Sequence, residues 1–313
     1  MEVVDFEYTN EWPITFSNEF FNFLNTSING KRIFFKHENC ILPVIIKKKH
    51  TFKIGYFIHP PLKNGKKLTQ IEEVIFFNSL LIYLKNKKIV DFIIPPIHTE
   101  NFQHIPKKSI GYELGIIKLT IKNLTEETVF ASFKSIYRNL IRKAIKDNVI
   151  VKFGMEYFDD FYELYQQKLI LENAPYDSYE LIKEIVLNLN NSGNVICGVA
   201  YVGNRPDSAV LNFNDNKNAY YMWAGTSNNS HPGSLRLLHW EIIQIYIKKG
   251  IEYYRMGGAR KGDFSNEKHT RLLNFKRGFG SDVETGFHFT FIINLLKYRM
   301  YKMLVFLKTK LKK

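Results

Sequence analysis

Cysteine is scarce in this sequence. Cys40 and Cys197 are the two in 313 residues, far apart, with no CxxC and no metal-ligand spacing. That excludes a disulfide framework and makes a reducing cytoplasm the expected setting. Long apolar runs are lacking too, since no stretch approaches the ~20 residues that cross a bilayer. The opening Met1-Glu2-Val3-Val4-Asp5 is acidic, whereas a secretory signal starts with positive charge. The nine His form no HExxH and no paired ligand spacing, so no metal is expected. No Gly-x-Ser-x-Gly or Cys/His signature marks a hydrolase. Gly257-Gly258-x-x-x-Gly262 has the wrong spacing for a dinucleotide loop. No RNA-recognition motif is readable.

What is present describes a globular protein with a basic surface. Apolar residues make up 45% and include 26 Phe and 18 Tyr, enough to bury a large core and to exclude bulk disorder. Lys and Arg number 44 against 30 Asp and Glu, a formal charge of +14. This balance favours anionic partners, namely nucleic acid, phosphorylated substrates or an acidic membrane face, and says nothing of fold. Beyond Glu284 there is no acid, only Lys297, Arg299, Lys302, Lys308, Lys310, Lys312 and Lys313. Ile292, Leu295, Leu296, Met300, Met303, Leu304, Leu307 and Leu311 recur there at helical spacing. Residues 291–313 therefore read as a basic amphipathic helix, suited either to docking on the body or to an anionic membrane surface.

The hydrophobic periods predict two similar rounds of elements. The first has strands at 31–36, 40–46, 51–58, 91–94 and 113–119. Helical spacing over 69–87 puts Ile71, Val74, Ile75, Asn78, Leu81 and Ile82 on one face. A long basic helix covers 126–147, and a strand covers 150–153. The second round has helices at 157–170 and 178–190, strands at 194–202, 208–214 and 218–225, a helix at 234–249, a strand at 251–256, a loop, and a strand at 281–291. The architecture repeats although the sequence does not. The expected fold class is α+β, with domains at 1–150 and 151–290 followed by the terminal helix.

Tyr253-Tyr254-Arg255-Met256-Gly257-Gly258 reads as a strand ending in two glycines. After a polar loop comes Asn274-Phe275-Lys276-Arg277-Gly278-Phe279-Gly280. Further patterns flank it in order: Arg138-Asn139-Leu140-Ile141-Arg142-Lys143-Ala144 with Val149, Phe161-Tyr162-Glu163-Leu164-Tyr165, and Ala219-Tyr220-Tyr221-Met222-Trp223-Ala224. A helix through Glu241 then reaches Gly250. The ordered set resembles the FemABX family over residues 30–285. The resemblance implies two tandem acetyltransferase-like (GNAT) domains, each a mixed, mostly antiparallel sheet flanked by helices. It also implies an aminoacyltransferase that takes its amino acid from aminoacyl-tRNA and places it on an amino group of a peptidoglycan or other envelope precursor. Charged tRNA is then a co-substrate, no cofactor is held, and no DNA partner is expected. Acyl-coenzyme A with an amino sugar or other amine is the alternative. A non-catalytic scaffold binding anionic lipid or RNA is a third reading.

Acyl transfer to an amine develops negative charge on the carbonyl oxygen, so the site needs a fixed cation or N–H donors. Lys276 is the expected cation, and the resemblance implies that it and the Phe275 carbonyl line the reaction centre. Asn228-Asn229-Ser230-His231-Pro232-Gly233-Ser234 precedes a helix where simple GNAT enzymes hold a pyrophosphate. His231, Gly233, Ser234, Arg236 and Trp223 are therefore donor-side candidates, although only part of a phosphate loop is present and an ordinary capped helix reads equally well. Tyr176 sits where the family often has Arg-x-x-x-Tyr contacting acceptor phosphates, but Glu172 replaces the Arg. Lys36 and Arg255 could supply that charge, with Tyr254 beside them. Arg138, Arg142, Lys143 and Lys146 share a helical face fit for tRNA or lipid phosphate. Asp263 and Glu267 are the carboxylates nearest the motif in sequence, and neither reads as a general base.

Overall fold

The computed structural model describes residues 1–9, 11–95, 100–190, 193–260 and 267–310. In chain order the elements are β1 (Glu2–Val4), α1 (Asn18–Ile28), β2 (Lys31–His37), β3 (Cys40–Lys49), β4 (Phe52–Phe57), β5 (Leu62–Lys63), β6 (Lys66–Lys67), α2 (Gln70–Lys87), β7 (Phe92–Ile94) and β8 (Ser109–Thr120). There follow α3 (Glu126–Ser132), α4 (Ser135–Lys146), β9 (Val149–Phe153), α5 (Phe158–Leu171), α6 (Tyr179–Asn190), β10 (Val195–Val202), β11 (Arg205–Asn214) and β12 (Asn218–Thr226). The chain ends with α7 (Ser234–Lys248), β13 (Tyr253–Arg260), α8 (Glu267–Arg277), β14 (Asp282–Ile292) and α9 (Leu295–Lys310).

These elements form two compact units. The first holds Met1–Gly115 together with Thr285–Lys313, and the second holds Ile116–Glu284. The expected divide at 150 thus falls inside the second unit, within β9. The reason is packing: Ile141 and Ala144 of α4 share a buried cluster with Leu237, Leu238 and Ile242 of α7. The terminal helix is shorter than expected, because Phe291 and Ile292 still pair with Ile93 and Phe92 as strand.

In the first unit, the sheet runs β1-β2-β3-β4-β7-β14. Its pairs are antiparallel except β4 with β7. Phe57, Phe76, Phe77, Phe102, Phe289 and Phe291 fill the core against it. α2 buries the opposite face from the one its isoleucines suggest. Phe76, Phe77, Leu80 and Leu84 are inside, while Ile71 is 74% exposed and Ile82 is 64% exposed. Apolar residues lie on both sides of the helix, and the aromatic side has more surface to bury. Glu73 on that buried side accepts the Gln103 N–H at 2.9 Å.

In the second unit, the order is β13-β12-β11-β10-β9. All its pairs are antiparallel except β12 with β13. α5 lies across β11 and β12. The expected helix over 126–147 is broken at Phe133, whose ψ is 147°. That break buries the Phe133 ring 5.3 Å from Phe279 and lets the Lys134 N–H donate to the Gly278 carbonyl at 2.9 Å. The break therefore joins the helices to the Phe-Lys-x-Gly-Phe-Gly segment. The stretch before that segment, expected to be a loop, contains α8.

Candidate active site

The parallel β12–β13 ladder pairs Asn218, Ala219 and Tyr220 with Tyr253, Tyr254 and Arg255 among the described residues. Both strands continue past those pairs. β12 also has a bulge, since Leu211 faces Trp223 while Asn212 faces Tyr221, leaving Met222 extra. Bulges re-aim side chains and often sit beside active sites. Lys276 enters here from the last turn of α8. Its side chain is buried, and Nζ lies 5.9 Å from the Tyr221 ring centroid and 3.4 Å from where a Cβ on Gly257 would stand.

Burial, then the charge of Lys168, pushes the Lys276 ammonium down to about 8. Lys276 is therefore still mostly a cation at neutral pH. Among the described residues no carboxylate forms an ion pair with it. A desolvated cation with no acidic partner among the described residues is suited to meet an oxygen that becomes negative.

Beneath it lies a polar group that the sequence does not advertise. His239 of α7 is fully buried, with Nδ1 2.9 Å from the Tyr254 hydroxyl. Tyr254 also accepts from Asn212 Nδ2 at 3.2 Å. The single phenolic proton then points to Nδ1, which assigns the ring proton to Nε2. Nε2 has no hydrogen-bond partner among the described residues. Burial, then Lys276, Arg236 and Lys168, lowers the imidazolium to about 3, so the ring is neutral. It packs 4.8 Å from Tyr221, 5.1 Å from Phe279 and 5.8 Å from Phe275.

Tyr137 of α4 locks the motif from the other side. Its hydroxyl donates to the Phe275 carbonyl at 3.0 Å, and the Gly278 N–H donates to the same oxygen at 3.1 Å. Both lone pairs of that carbonyl are thus engaged, which gives Phe275 a bracing role in place of the expected reactive one. Any Cβ at Gly278 would stand 2.2 Å from the Tyr137 ring, so only glycine fits. Arg236 stacks over Tyr137 at 4.5 Å and Phe275 at 5.5 Å.

The expected donor loop is closed on itself. Asp207, fully buried, accepts from the His231 N–H at 3.0 Å, Ser234 Oγ at 2.5 Å and Ser227 Oγ at 3.2 Å. The His231 ring takes the Gly233 N–H on Nδ1 at 3.1 Å and reaches Asp147 with Nε2 at 3.0 Å. Gly233 itself is a packing residue, since a Cβ there would stand 2.2 Å from the Leu140 carbonyl oxygen. A carboxylate of the chain is thus tied into the loop ahead of α7, through the His231 N–H and the Ser234 hydroxyl.

The remaining candidates are dispersed. Tyr254 lies behind His239 with its hydroxyl buried, so it supports the site from within the core. Trp223 donates to Asp177 Oδ2 at 3.3 Å, and Tyr176, the residue before Asp177, is 42% exposed. Arg255 is bound through Nε to Asn218 at 2.8 Å, at the paired end of the ladder. Lys36 sits on β2 of the first unit, opposite Glu2 and Ile41. Arg138 donates to the Ala131 and Phe133 carbonyls, which takes it out of the basic face. Asp263 lies outside the described residues, as does the Glu267 side chain. Sequence reasoning missed His239, Tyr137, Asn212 and Asp207, because their partners are 15 to 138 positions away.

Residues 131–277 match the model of the acetyltransferase (GNAT) domain family. The chain is a GNAT-fold acyltransferase. The matched span carries Tyr137, Asp207, His239 and Lys276 and ends at the last turn of α8. No curated protein sequence matches the acyltransferase. Its fold is the tandem GNAT-like fold, similar to that of FemX, which is 13% identical with a TM-score of 0.72, covering 96% of this chain and 99% of that one. L-PGS from Bacillus licheniformis is similar at 9% identity and a TM-score of 0.53, covering 89% of this chain and 92% of that one. A protein of unknown function from Bacteroides thetaiotaomicron, at 9% identity and a TM-score of 0.57, covers 88% of this chain and 90% of its own. No helix among the described residues is long and apolar enough to cross a membrane.

Proposed function

We propose that the acyltransferase forms an amide bond, taking an aminoacyl group from aminoacyl-tRNA and placing it on an amino group of a cell-wall or envelope precursor. The observation that carries this reading is the buried Lys276 cation with no acidic partner among the described residues. The neutral amine of the acceptor attacks the ester carbonyl carbon, and a C–N bond forms. The carbonyl oxygen becomes an oxyanion beside Lys276. The tetrahedral centre then collapses, the ribose oxygen of the tRNA departs, and the proton lost by the amine ends on that oxygen. Lys276 lowers the barrier because its charge is fixed and poorly hydrated before the reaction begins.

The closed loop before α7 supports an ester donor over a coenzyme A thioester. Its His231 and Gly233 N–H groups are already bonded, and Asp207 adds negative charge where a diphosphate would sit. The acetyltransferase description of the matched family favours the second reading, an acyl-coenzyme A donor with an amino sugar or another amine as acceptor. Equilibrium binding to aminoacyl-tRNA, uncharged tRNA and acetyl-coenzyme A, measured in parallel, separates the two. Preference for charged over uncharged tRNA is the expected result. Tight coenzyme A binding without that preference would replace the first reading with the second.

A further inference from the structure

α9 docks on the first unit by one face only. Tyr298 and Tyr301 place their rings 5.3 and 5.0 Å from Phe92, and Tyr301 lies 5.6 Å from Phe52. Lys297 Nζ pairs with Asp91 at 3.2 Å. The opposite face is apolar and open. Leu296, Met300, Met303 and Leu307 follow one another at i, i+4, i+7 and i+11, so they form a single stripe. They are 70%, 45%, 58% and 47% exposed, and Phe306 near them is 58% exposed. A contiguous apolar strip of this kind marks an interaction surface.

The charges around the strip indicate what covers it. Arg299, Lys302 and Lys310 border it and are exposed, and the sequence has no acid after Glu284. The β3–β4 turn adds exposed Lys48, Lys49 and His50. Lys49 and His50 line a groove of about 280 Å³ together with Phe52, Tyr301, Leu304 and Val305, which places this basic turn beside α9. Apolar side chains edged by cations fit an anionic lipid surface, where acyl chains take the stripe and headgroup charges take the lysines. A helix of 16 residues with this many charges lies along such a surface. Because its inner face is already seated, it needs no ordering on contact.

We propose that α9, with the β3–β4 turn, seats the protein on the surface of an anionic bilayer. This goes beyond the acyl-transfer reading and does not rest on it. The full chain is sedimented with phosphatidylglycerol-containing vesicles and with pure phosphatidylcholine vesicles, at low and high salt. Binding is expected to be at least ~10-fold stronger to the anionic vesicles and to fall with salt, since each cation near such a surface contributes roughly fivefold. The triple variant Leu296→Ser, Met303→Ser, Leu307→Ser is expected to lose binding while keeping its thermal midpoint, because those side chains are exposed. Lys48→Ala with Lys49→Ala is expected to weaken anionic binding alone. Equal binding to both vesicle types, binding to neither, or unchanged binding by the triple variant would overturn the proposal. So would a concentration-dependent dimer that the triple variant abolishes, which would assign the stripe to a second copy of the chain.

Discussion

Lys276 destabilises the fold that holds it. Its ammonium is lowered from 10.5 to about 8 by burial and by Lys168. Between those two pH values the unfolded chain binds a proton that the folded chain does not. Stability therefore rises with pH across that window, and below it the folded state carries the full penalty, on the order of 3 kcal/mol. Lys276→Met removes the charge while keeping an unbranched side chain beside Tyr221. Its thermal midpoint at neutral pH is expected to rise by several degrees, and its stability to become flatter between pH 8 and 10.5. Transfer is expected to fall at least ~100-fold, as when one oxyanion donor is lost. Calorimetry and a turnover assay on the same preparation check both. In the wild type, any step that needs this cation is expected to weaken as pH rises through about 8. Lys276→Arg is expected to move that limb upward.

At the level of elements, most of the pattern was legible because hydrophobic periods report burial directly. α5, α6, α7 and strands β9 to β12 lie where their periods put them. The errors share a cause. The break at Phe133, the presence of α8 and the buried side of α2 are all decided by contacts with distant residues. Phe133 leaves the helix because Phe279 and Trp240 receive its ring. Lys276 was legible as a cation, but its burial in the last turn of α8 was not. The loop before α7 was legible as helix-start chemistry, while Asp207, which fills it, lies 27 positions before Ser234. Asp207→Ala tests that role. It leaves the His231 N–H and the half-buried Ser227 hydroxyl without their side-chain acceptor, while the Ser234 hydroxyl keeps the His231 carbonyl at 3.0 Å. A loss of roughly 2 kcal/mol is expected for the unpaired buried groups, read as a lower denaturant midpoint with an unchanged slope. A midpoint equal to that of the wild type would mean that the loop holds its shape without the acid.

For the whole molecule, the divide between units was not legible, because the first unit is discontinuous in sequence. β8 contributes residues on both sides of that divide, and no composition shift marks a strand that does so. The formal charge of +14 was legible, and the structure distributes its use. Arg138 is spent on backbone carbonyls, and Arg142 lies 5.5 Å from the Phe130 ring. Lys143 and Lys146 remain exposed on α4, within the second unit that carries Lys276. If charged tRNA is the donor, its backbone must be met by such exposed cations, and each contact releases condensed counterions. The logarithm of tRNA affinity is then expected to fall linearly with the logarithm of salt concentration. Lys143→Ala with Lys146→Ala is expected to reduce that slope by about 1 to 2, since each phosphate contact contributes roughly 0.7 to 0.9. Both positions are solvated, so thermal stability is expected to stay within ~0.5 kcal/mol of the wild type. A variant whose slope equals that of the wild type would remove α4 from the tRNA surface and leave its lysines as a solvated face.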